Sequence, residues 1–244
     1  MVTEDTINKC QLRVISMIHI HPKGAFLMNR EVSKKLNVDV GDEILFILDK
    51  NERVNVRKHP SKLEEGEKYL DSATILGQTV ERMYPRHPKR KKDVKSRIPE
   101  YMAKIINLGE DRNTLWSIDS NGNITIKDTF IFLNNNIPAM VISFGNMVRY
   151  GVFTIPSEIV NILDIHINDI IIFILDENDN IMVKRATTKI PQLLLGSSTV
   201  YDNYDIIISH DDIRKRLDDS DKEDILWTID ENGNIVISST CINI

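Results

Sequence analysis

An internal repeat constrains this chain more than any other feature of its sequence. Residues 24–58 match residues 151–185 without a gap, and both segments contain the block Phe-Ile-Leu-Asp. A second pair of segments, 97–129 and 208–240, shares Leu-Trp, Ile-Asp and Asn-Gly-Asn-Ile. The chain therefore holds four repeats in the order A-B-A-B, and this order predicts that one local structure is built twice.

The first half contains extra sequence between its A and B repeats. We assign this insertion to residues 82–97, where eight Lys and Arg residues face a single acid, Asp93. From about Tyr84 to Ser96 we expect a mobile segment, because like charges repel one another and prolines interrupt regular structure. A solvated loop without function is the alternative interpretation of this basic run.

Each repeat has the same internal pattern. An apolar strand-like segment precedes a short segment of helical periodicity, and two alternating strands joined by a tight turn follow. Asn121-Gly122 and Asn232-Gly233 predict type I′ hairpins in the B repeats, and the A repeats have acidic turns at the equivalent places, 49–52 and 176–179. The pattern predicts a mainly β fold with four hairpins, each preceded by a helix of about two turns.

Composition narrows the class of protein. With 244 residues, 41% of them hydrophobic and 27% charged, the chain is long enough for one large or two medium domains. The sequence predicts no secretory signal and no membrane span, so we expect a cytoplasmic protein. The two cysteines, Cys10 and Cys241, lie at opposite ends of the chain, and we expect reduced thiols there.

The two halves carry opposite charge. Residues 1–127 hold 23 Lys and Arg against 18 Asp and Glu, whereas residues 128–244 hold 8 against 18. Within the second half, residues 202–224 form an acidic run that we interpret as a solvated surface. A nucleic-acid partner is therefore expected only for the first half.

The third repeat carries a resemblance to a known family. The segment G-V-F-T-I-P-S-E-I (151–159), followed by L-D-I-H-I-N-D (163–169), resembles the swapped-hairpin AbrB family of prokaryotic transcription regulators and antitoxins. The first repeat keeps Lys23-Gly24 and the turn over 36–42, but has Met28-Asn29 in place of Ile-Pro. The second repeat keeps Ile-Pro-Glu at 98–100, and the fourth repeat diverges most.

This resemblance implies that two repeats exchange hairpins to close one barrel. We therefore expect two tandem swapped-hairpin β-barrels, each built from two repeats of the same chain, with pairing of repeats one and three as the less favoured alternative. Trp116 and Trp227 are interpreted as core residues. The expected domains are 1–130, containing repeats one (12–58) and two (72–129) with the insertion 82–97, and 137–244, containing repeats three (140–186) and four (197–240).

The resemblance also implies sequence-selective DNA binding through basic side chains near the strand-to-helix loops. Several positions that are basic or polar in many members of the family are Ala25, Val152, Ser33 and Val160 in this chain. We therefore expect double-stranded DNA to be bound by the basic first half. The predicted DNA-contacting residues are Lys23, Arg30, Lys34, Lys35, Arg86, Lys89, Arg90, Lys91, Lys92, Lys95, Arg97 and Arg149.

The expected function is that of a prokaryotic, archaeal transcription regulator, associated with the nucleoid when bound to DNA. The alternative is a protein-interaction or antitoxin-like adaptor that uses the fold as a scaffold. In either case the acidic second half is expected to support a homodimer or bind a protein partner. The sequence has no P-loop, nucleophile elbow or zincin motif, so we predict no enzyme activity and no cofactor. His19 and His21 are interpreted as surface residues, and no metal site is predicted.

Overall fold

The computed structural model describes residues 12–21, 24–80, 91–98, 100–105, 112–146, 151–186, 193–208, 211–217 and 224–242. The fold is mainly β with short helices, which confirms the fold class predicted from the repeat pattern. The chain divides into two compact units that meet between Thr129 and Phe130. We call residues 12–129 the first unit and residues from 130 onwards the second unit.

The described residues of the first unit form nine strands and two helices. Its strands are β1 (Leu12–Ile20), β2 (Ala25–Met28), β3 (Glu43–Leu48), β4 (Val54–Lys58), β5 (Lys68–Thr74), β6 (Leu76–Val80), β7 (Lys91–Arg97), β8 (Arg112–Asp119) and β9 (Ile124–Lys127). Its helices are α1 (Arg30–Leu36) and α2 (Glu100–Ile105). The strands pair in the order β5-β3-β4-β9-β8-β1-β2-β7-β6.

The two repeats of the first unit exchange strands. Strand β1 of repeat one pairs with β8 of repeat two, and β5, which leads into repeat two, pairs with β3 of repeat one. The equivalent strands β2 and β7 pair with each other, as do β4 and β9. Strands of the two repeats therefore alternate in one sheet and share its backbone hydrogen bonds.

The second unit repeats this arrangement. Its strands are β10 (Phe130–Phe132), β11 (Pro138–Asn146), β12 (Val152–Thr154), β13 (Ile170–Leu175), β14 (Ile181–Arg185), β15 (Leu194–Thr199), β16 (Asp205–Ile207), β17 (Asp224–Asp230), β18 (Ile235–Ser239) and β19 (Cys241–Ile242), and its helices are α3 (Ser157–Leu163) and α4 (Asp211–Leu217). Pairings of β11 with β17, β13 with β15, β14 with β18 and β12 with β16 match those of the first unit.

Four hairpins are present where the sequence predicts them, but their turns differ from the prediction. Only the glycine of the Asn-Gly pairs has a positive φ, +85° at Gly122 and +81° at Gly233. A type I′ turn would need a positive φ at Asn121 as well, so that prediction is wrong. The reason is Asp119, whose Oδ1 accepts the backbone N–H groups of Asn121 and Asn123 and fixes a longer loop.

Each unit has its own hydrophobic core. Trp116 packs with Phe26 at a ring-centroid distance of 5.4 Å, and Trp227 packs with Phe153 at 5.6 Å. Both tryptophans are fully buried, which confirms their assignment to the core.

Cys241 is disulfide-bonded, so the prediction of a reduced thiol at that position is wrong. Distance along the sequence does not limit how closely two Cα atoms approach in a fold, and the sequence argument rested on that distance alone. Cys10 lies outside the described residues.

The basic insertion is not a loop over its whole length. Residues 91–96 belong to strand β7, which pairs with β2 on one side and with β6 on the other. Residues 94 and 95 pair with both neighbours, residue 96 pairs with β2 alone and residues 91–93 pair with β6 alone, so 91–96 form a strand, in contrast to the irregular, mobile segment expected from the sequence. Residues 84–90 lie outside the described part of the chain.

Candidate nucleic-acid interface

Helix α1 presents the basic residues of repeat one. The helix begins after Asn29, whose Oδ1 accepts the backbone N–H of Val32 at 2.8 Å and so caps the first turn. Val32 and Leu36 are buried in the core, and this fixes which side of the helix faces outwards. Three exposed bases lie on the remaining surface: Arg30, Lys34 and Lys35.

Strands β6 and β7 form a two-stranded antiparallel arm. We define the arm as residues 76–80 and 91–97, which pair from Leu76 opposite Lys95 to Val80 opposite Lys91. Its base is anchored in the fold, because Ser96 is buried and Gly77 lies against the side chain of Val40. The arm carries four predicted DNA-contacting residues: Lys91, Lys92, Lys95 and Arg97.

The arm and α1 start from the same place. Met28 at the end of β2 pairs with Val94, and beyond this pair β2 leads through Asn29 into α1 while β7 leads back to Lys92 and Lys91. The register therefore places the start of α1 beside the part of the arm that contains these two lysines.

Arg97 pairs with Ala25, at the end of the β2–β7 pair that lies away from Met28 and α1. The adjacent strand β1 brings Arg112 to this end, since Ile20 pairs with both Phe26 and Arg112. Arg112 is exposed, and it was missed by the sequence analysis because it stands alone before an apolar strand. The predicted residues are thus divided between two ends of one strand pair and do not form a single cluster.

Some basic side chains of the first unit are bonded to carboxylates, and others are free of such bonds within the described residues. Arg57 is bonded to Glu67 at 2.9 and 2.5 Å, and Lys58 bonds to Asp42 at 2.6 Å. In contrast, across the described residues no carboxylate lies within ion-pair distance of the following bases: Arg30, Lys34, Lys35, Lys95 and Arg97. These five side chains can accept a phosphate without first breaking an ion pair within that part of the chain.

Lys58 supports α1 and is not a candidate contact. Its Nζ donates to the carbonyl oxygen of Asn37, the left-handed residue that ends α1, and to Oδ2 of Asp42. The bond from Lys58 lowers the pKa of Asp42, and the backbone N–H of Asp39 adds to this effect. We call this arrangement the helix clamp. The second unit has the same clamp, in which Arg185 bonds to Asp164 and contacts Asp169.

The remaining predicted contacts lie outside the described residues: Lys23, Arg86, Lys89, Arg90 and Arg149. Of these, Arg86, Lys89 and Arg90 belong to residues 81–90, which connect the two strands of the arm in sequence. Lys91 and Lys92 are placed by their backbone pairing alone.

The second unit has no basic surface at the equivalent place. Strand pairing matches Lys95 to Asp205 and Arg97 to Ile207, because β2 pairs with β7 as β12 pairs with β16. On α3, the residues that match Arg30, Lys34 and Lys35 are Ser157, Asn161 and Ile162. Ile162 is 48% exposed and Ile207 is 39% exposed. The corresponding surface of the second unit is therefore apolar and acidic.

Within the described residues, no group of three His, Cys, Asp or Glu side chains is arranged to hold a metal ion. His19 is exposed and its Nδ1 lies 3.1 Å from Oδ1 of Asn113. No described helix has the length and apolar character needed to span a membrane. Comparison with known proteins gives no matching protein family, no matching curated protein and no matching solved structure.

Proposed function

We propose that this protein is an AbrB-like, non-catalytic transcription regulator of archaeal type, and that its first unit binds double-stranded DNA. In this proposal each unit is a swapped-hairpin barrel, and the protein works in the cytoplasm in association with the nucleoid. The exchange of strands between repeats supports the assignment to this fold, since each repeat supplies the partner strands of the other.

The main support for the proposal is the arm formed by β6 and β7. A two-stranded β-ribbon fits the major groove of B-form DNA, which is about 12 Å wide. The arm is such a ribbon, it contains Lys91, Lys92 and Lys95, and it leaves the sheet beside the bases of α1. The matched surface of the second unit has none of these bases, although the strands there pair in the same way. The basic residues are therefore not a requirement of the fold, and phosphate binding gives them a role.

The test measures affinity of the full chain for duplex DNA as a function of salt. If about four to six phosphates are neutralised, the plot of log K against log salt should have a slope of about −4 to −5. Replacing Lys89, Arg90, Lys91 and Lys92 by Ala should flatten this slope by up to about 3 to 4 and weaken all sequences alike. Arg30→Ala should instead change the preference between sequences if that side chain contacts base edges.

A control variant removes three positive charges elsewhere in the first unit. Lys50, Lys62 and Lys68 are exposed bases that lie in or beside the β3–β4 turn and strand β5. Replacing these three by Ala should leave the salt slope nearly unchanged. An equal loss in both variants would show that net charge alone attracts DNA, and no affinity for any duplex at low salt would favour the adaptor function instead.

The second unit is proposed to bind a protein, either a second copy of the chain or another partner. Exposed Ile162 and Ile207 stand where the first unit has Lys35 and Arg97, and Asp205 lies two residues from Ile207. Apolar side chains next to acids are typical of protein interfaces and unsuitable for DNA.

Sedimentation of the full chain tests this second role. The double variant Ile162→Lys/Ile207→Arg introduces the residues that the first unit already has at matched positions, so the fold should accept them. If the surface joins two copies, the variant should be monomeric at concentrations where the parent is a dimer. An unchanged sedimentation coefficient for a dimeric parent would exclude this surface as the dimer contact.

A further inference from the structure

The second unit contains a cavity that none of the roles proposed above uses. Its volume is about 710 Å³, within the range of small-molecule sites. Two turns form its walls, one at Asn134–Asn136 before β11 and one at Asn178–Asn180 before β14. The end of α4 and strand β18 complete it, through Arg216 and Ser238.

The cavity wall is rich in amide groups. Asn135 Nδ2 donates to Asn178 Oδ1 at 2.9 Å, and Asn134 Nδ2 donates to the carbonyl oxygen of Asp179 at 3.3 Å. The bond between Asn135 and Asn178 uses one polar atom of each side-chain amide and leaves the other atom of each amide. Among the described residues, Oδ1 of Asn135 and Nδ2 of Asn178 have no second partner, so a donor and an acceptor remain for a ligand.

Ser238 adds an unsatisfied group to the wall. Its Oγ is buried and makes no hydrogen bond within the described part of the chain. A buried hydroxyl without a partner is unfavourable, and a ligand hydroxyl would satisfy it once the wall shifts to expose this oxygen.

The charges of the lining cancel. Arg216 lies 3.8 Å from Asp179, and among the described lining residues these two are the only ionisable side chains apart from disulfide-bonded Cys241. The ring of Phe132 also lines the cavity and is 55% exposed. An aromatic face attracts the weakly positive C–H groups of a sugar ring. The lining therefore suits a neutral ligand that has many hydroxyl groups and one apolar face.

The first unit does not keep this set of groups. By strand register Ser238 corresponds to Lys127, since Leu226 pairs with Ser238 as Leu115 pairs with Lys127. Lys127 is half-buried, and this burial lowers the pKa of its ammonium group. Asn180 corresponds to Arg53 in the same way. The fold thus accepts a bulky base at the position of Ser238.

We propose that the cavity lined by Asn135, Asn178, Arg216 and Ser238 is a binding site for a neutral mono- or disaccharide. The side-chain amides bond to sugar hydroxyls, and Phe132 contacts a ring face. This site is independent of DNA binding by the first unit.

The experiment titrates the full-length, ¹⁵N-labelled protein with D-glucose and with trehalose, and follows the side-chain amide signals by NMR. One of the two sugars should shift the signals of Asn135 and Asn178 in a saturable way, with a Kd on the order of 1 mM. Inorganic phosphate, as a charged probe, should produce no such shift.

Two variants and a matched control make the test specific. Ser238→Lys fills the cavity with the residue that the first unit has there, and Asn178→Ala removes an amide, so both should abolish the sugar-induced shifts. Asn51→Ala changes the matched residue of the first unit and should leave them intact, with the melting temperatures of all three variants recorded as a check of folding. Absence of a shift with both sugars, a response to phosphate alone, or shifts that persist in Ser238→Lys would overturn the proposal.

Discussion

At the scale of single residues, two glycines mark a close contact between the repeats. Gly24 has φ +77° and Gly151 has φ +73°, and a Cβ atom on either would overlap the carbonyl oxygen of Ile98 or Ile208, respectively. The backbones are joined at this point, since Ile98 N donates to Gly24 O at 2.8 Å and Ile208 N to Gly151 O at 2.9 Å. The Gly of the family-like opening is therefore required by packing between repeats.

Replacing Gly24 by Ala should destabilise the protein strongly. The left-handed conformation alone costs an L-residue about 1–2 kcal/mol, and overlap with a fixed backbone oxygen adds to this cost. Gly122→Ala is the matched control, because Gly122 has φ +85° with open space around its Cα. Urea denaturation should show a clearly larger loss for Gly24→Ala than for Gly122→Ala. Equal losses would mean that the contact with Ile98 relaxes freely.

The helix clamp should make stability depend on pH. The pKa of Asp42 is lowered from its ordinary value of 3.8, mainly by the bond from Lys58, and that of Asp169 is lowered mainly by the backbone N–H of His166. A lowered pKa in the folded state stabilises the protein above the ordinary value, and this contribution is lost as the pH falls below it.

Asp42→Asn removes the charge that Lys58 binds. The variant should be less stable than the parent near pH 7, and the difference in denaturation midpoint should shrink as the pH approaches about 3. Asp169→Asn should behave in the same way in the second unit. A difference that stays constant over this range would show that the bond from Lys58 does not depend on the charge of Asp42.

At one place, the alignment of the two B repeats from sequence differs by one residue from their alignment in the structure. The gapless alignment pairs Arg97 with Ile208, whereas the strand register matches Arg97 to Ile207 and Ile98 to Ile208. After the helix, identities such as Leu115-Trp116 determine how the two B repeats align. The strand before the helix has few identities, so the sequence does not determine its alignment. Only the hydrogen bonds to β2 and β12 reveal the shift of one residue.

At the scale of elements, the hairpins and helices could be predicted because short-range patterns specify them. Alternating apolar residues predict strands, and a helix start such as Pro156-Ser157-Glu158 needs no distant partner. The arm could not be predicted in this way. Its residues are charged and lack apolar alternation, and β7 is held by pairing with β2, which lies far away in sequence.

The second unit shows how the fold is built without an arm. Ile75 N donates to Asp42 O at 2.7 Å and Val200 N donates to Asp169 O at 2.9 Å, so these two residues are equivalent. After Val200 the chain needs only the turn Tyr201–Tyr204 before β16 begins. Residues 76–94 are thus an addition to a complete fold.

A chimera tests the arm as an element. Residues 76–94 are replaced by the turn 201–204 of the second unit, with Lys95 and Arg97 retained. We expect a cooperative unfolding transition close to that of the parent and a large loss of DNA affinity, because the fold keeps its pairing and loses the ribbon. DNA affinity equal to that of the parent would assign binding to α1 alone, and loss of cooperative unfolding would show that the arm is part of the fold.

At the scale of the whole molecule, two units with one fold carry different surfaces. The basic residues are concentrated in the first half of the sequence and the acidic excess in the second. The sequence already contains this difference, since the charge of a segment needs no structure to be counted. What the sequence lacks is the location of each charge, and for this reason Arg112 was missed and the two ends of the β2–β7 pair were not distinguished.

Half-length proteins should fold separately. Each unit has its own core, and strands β1 to β9 form a continuous series of pairings within residues 12–129. We expect residues 12–129 and 130–244 to unfold cooperatively, and only the first to bind duplex DNA. Residues 12–58 alone should be unfolded, because β8 and β9 are missing. A cooperative transition for residues 12–58, measured by circular dichroism, would contradict this expectation.

The exchange of strands also affects how the protein is synthesised. Strand β1 ends at Ile20, and its partner β8 begins only at Arg112. The ribosome makes about 5–20 residues per second, so β1 waits several seconds without its partner. When the second unit emerges, β17 offers a sequence that resembles β8, and misassembly between matching repeats is a known failure of tandem proteins. Rapid closure of the first sheet before β17 is translated prevents such mispairing, and slower translation after Thr129 should increase the yield of correctly folded protein.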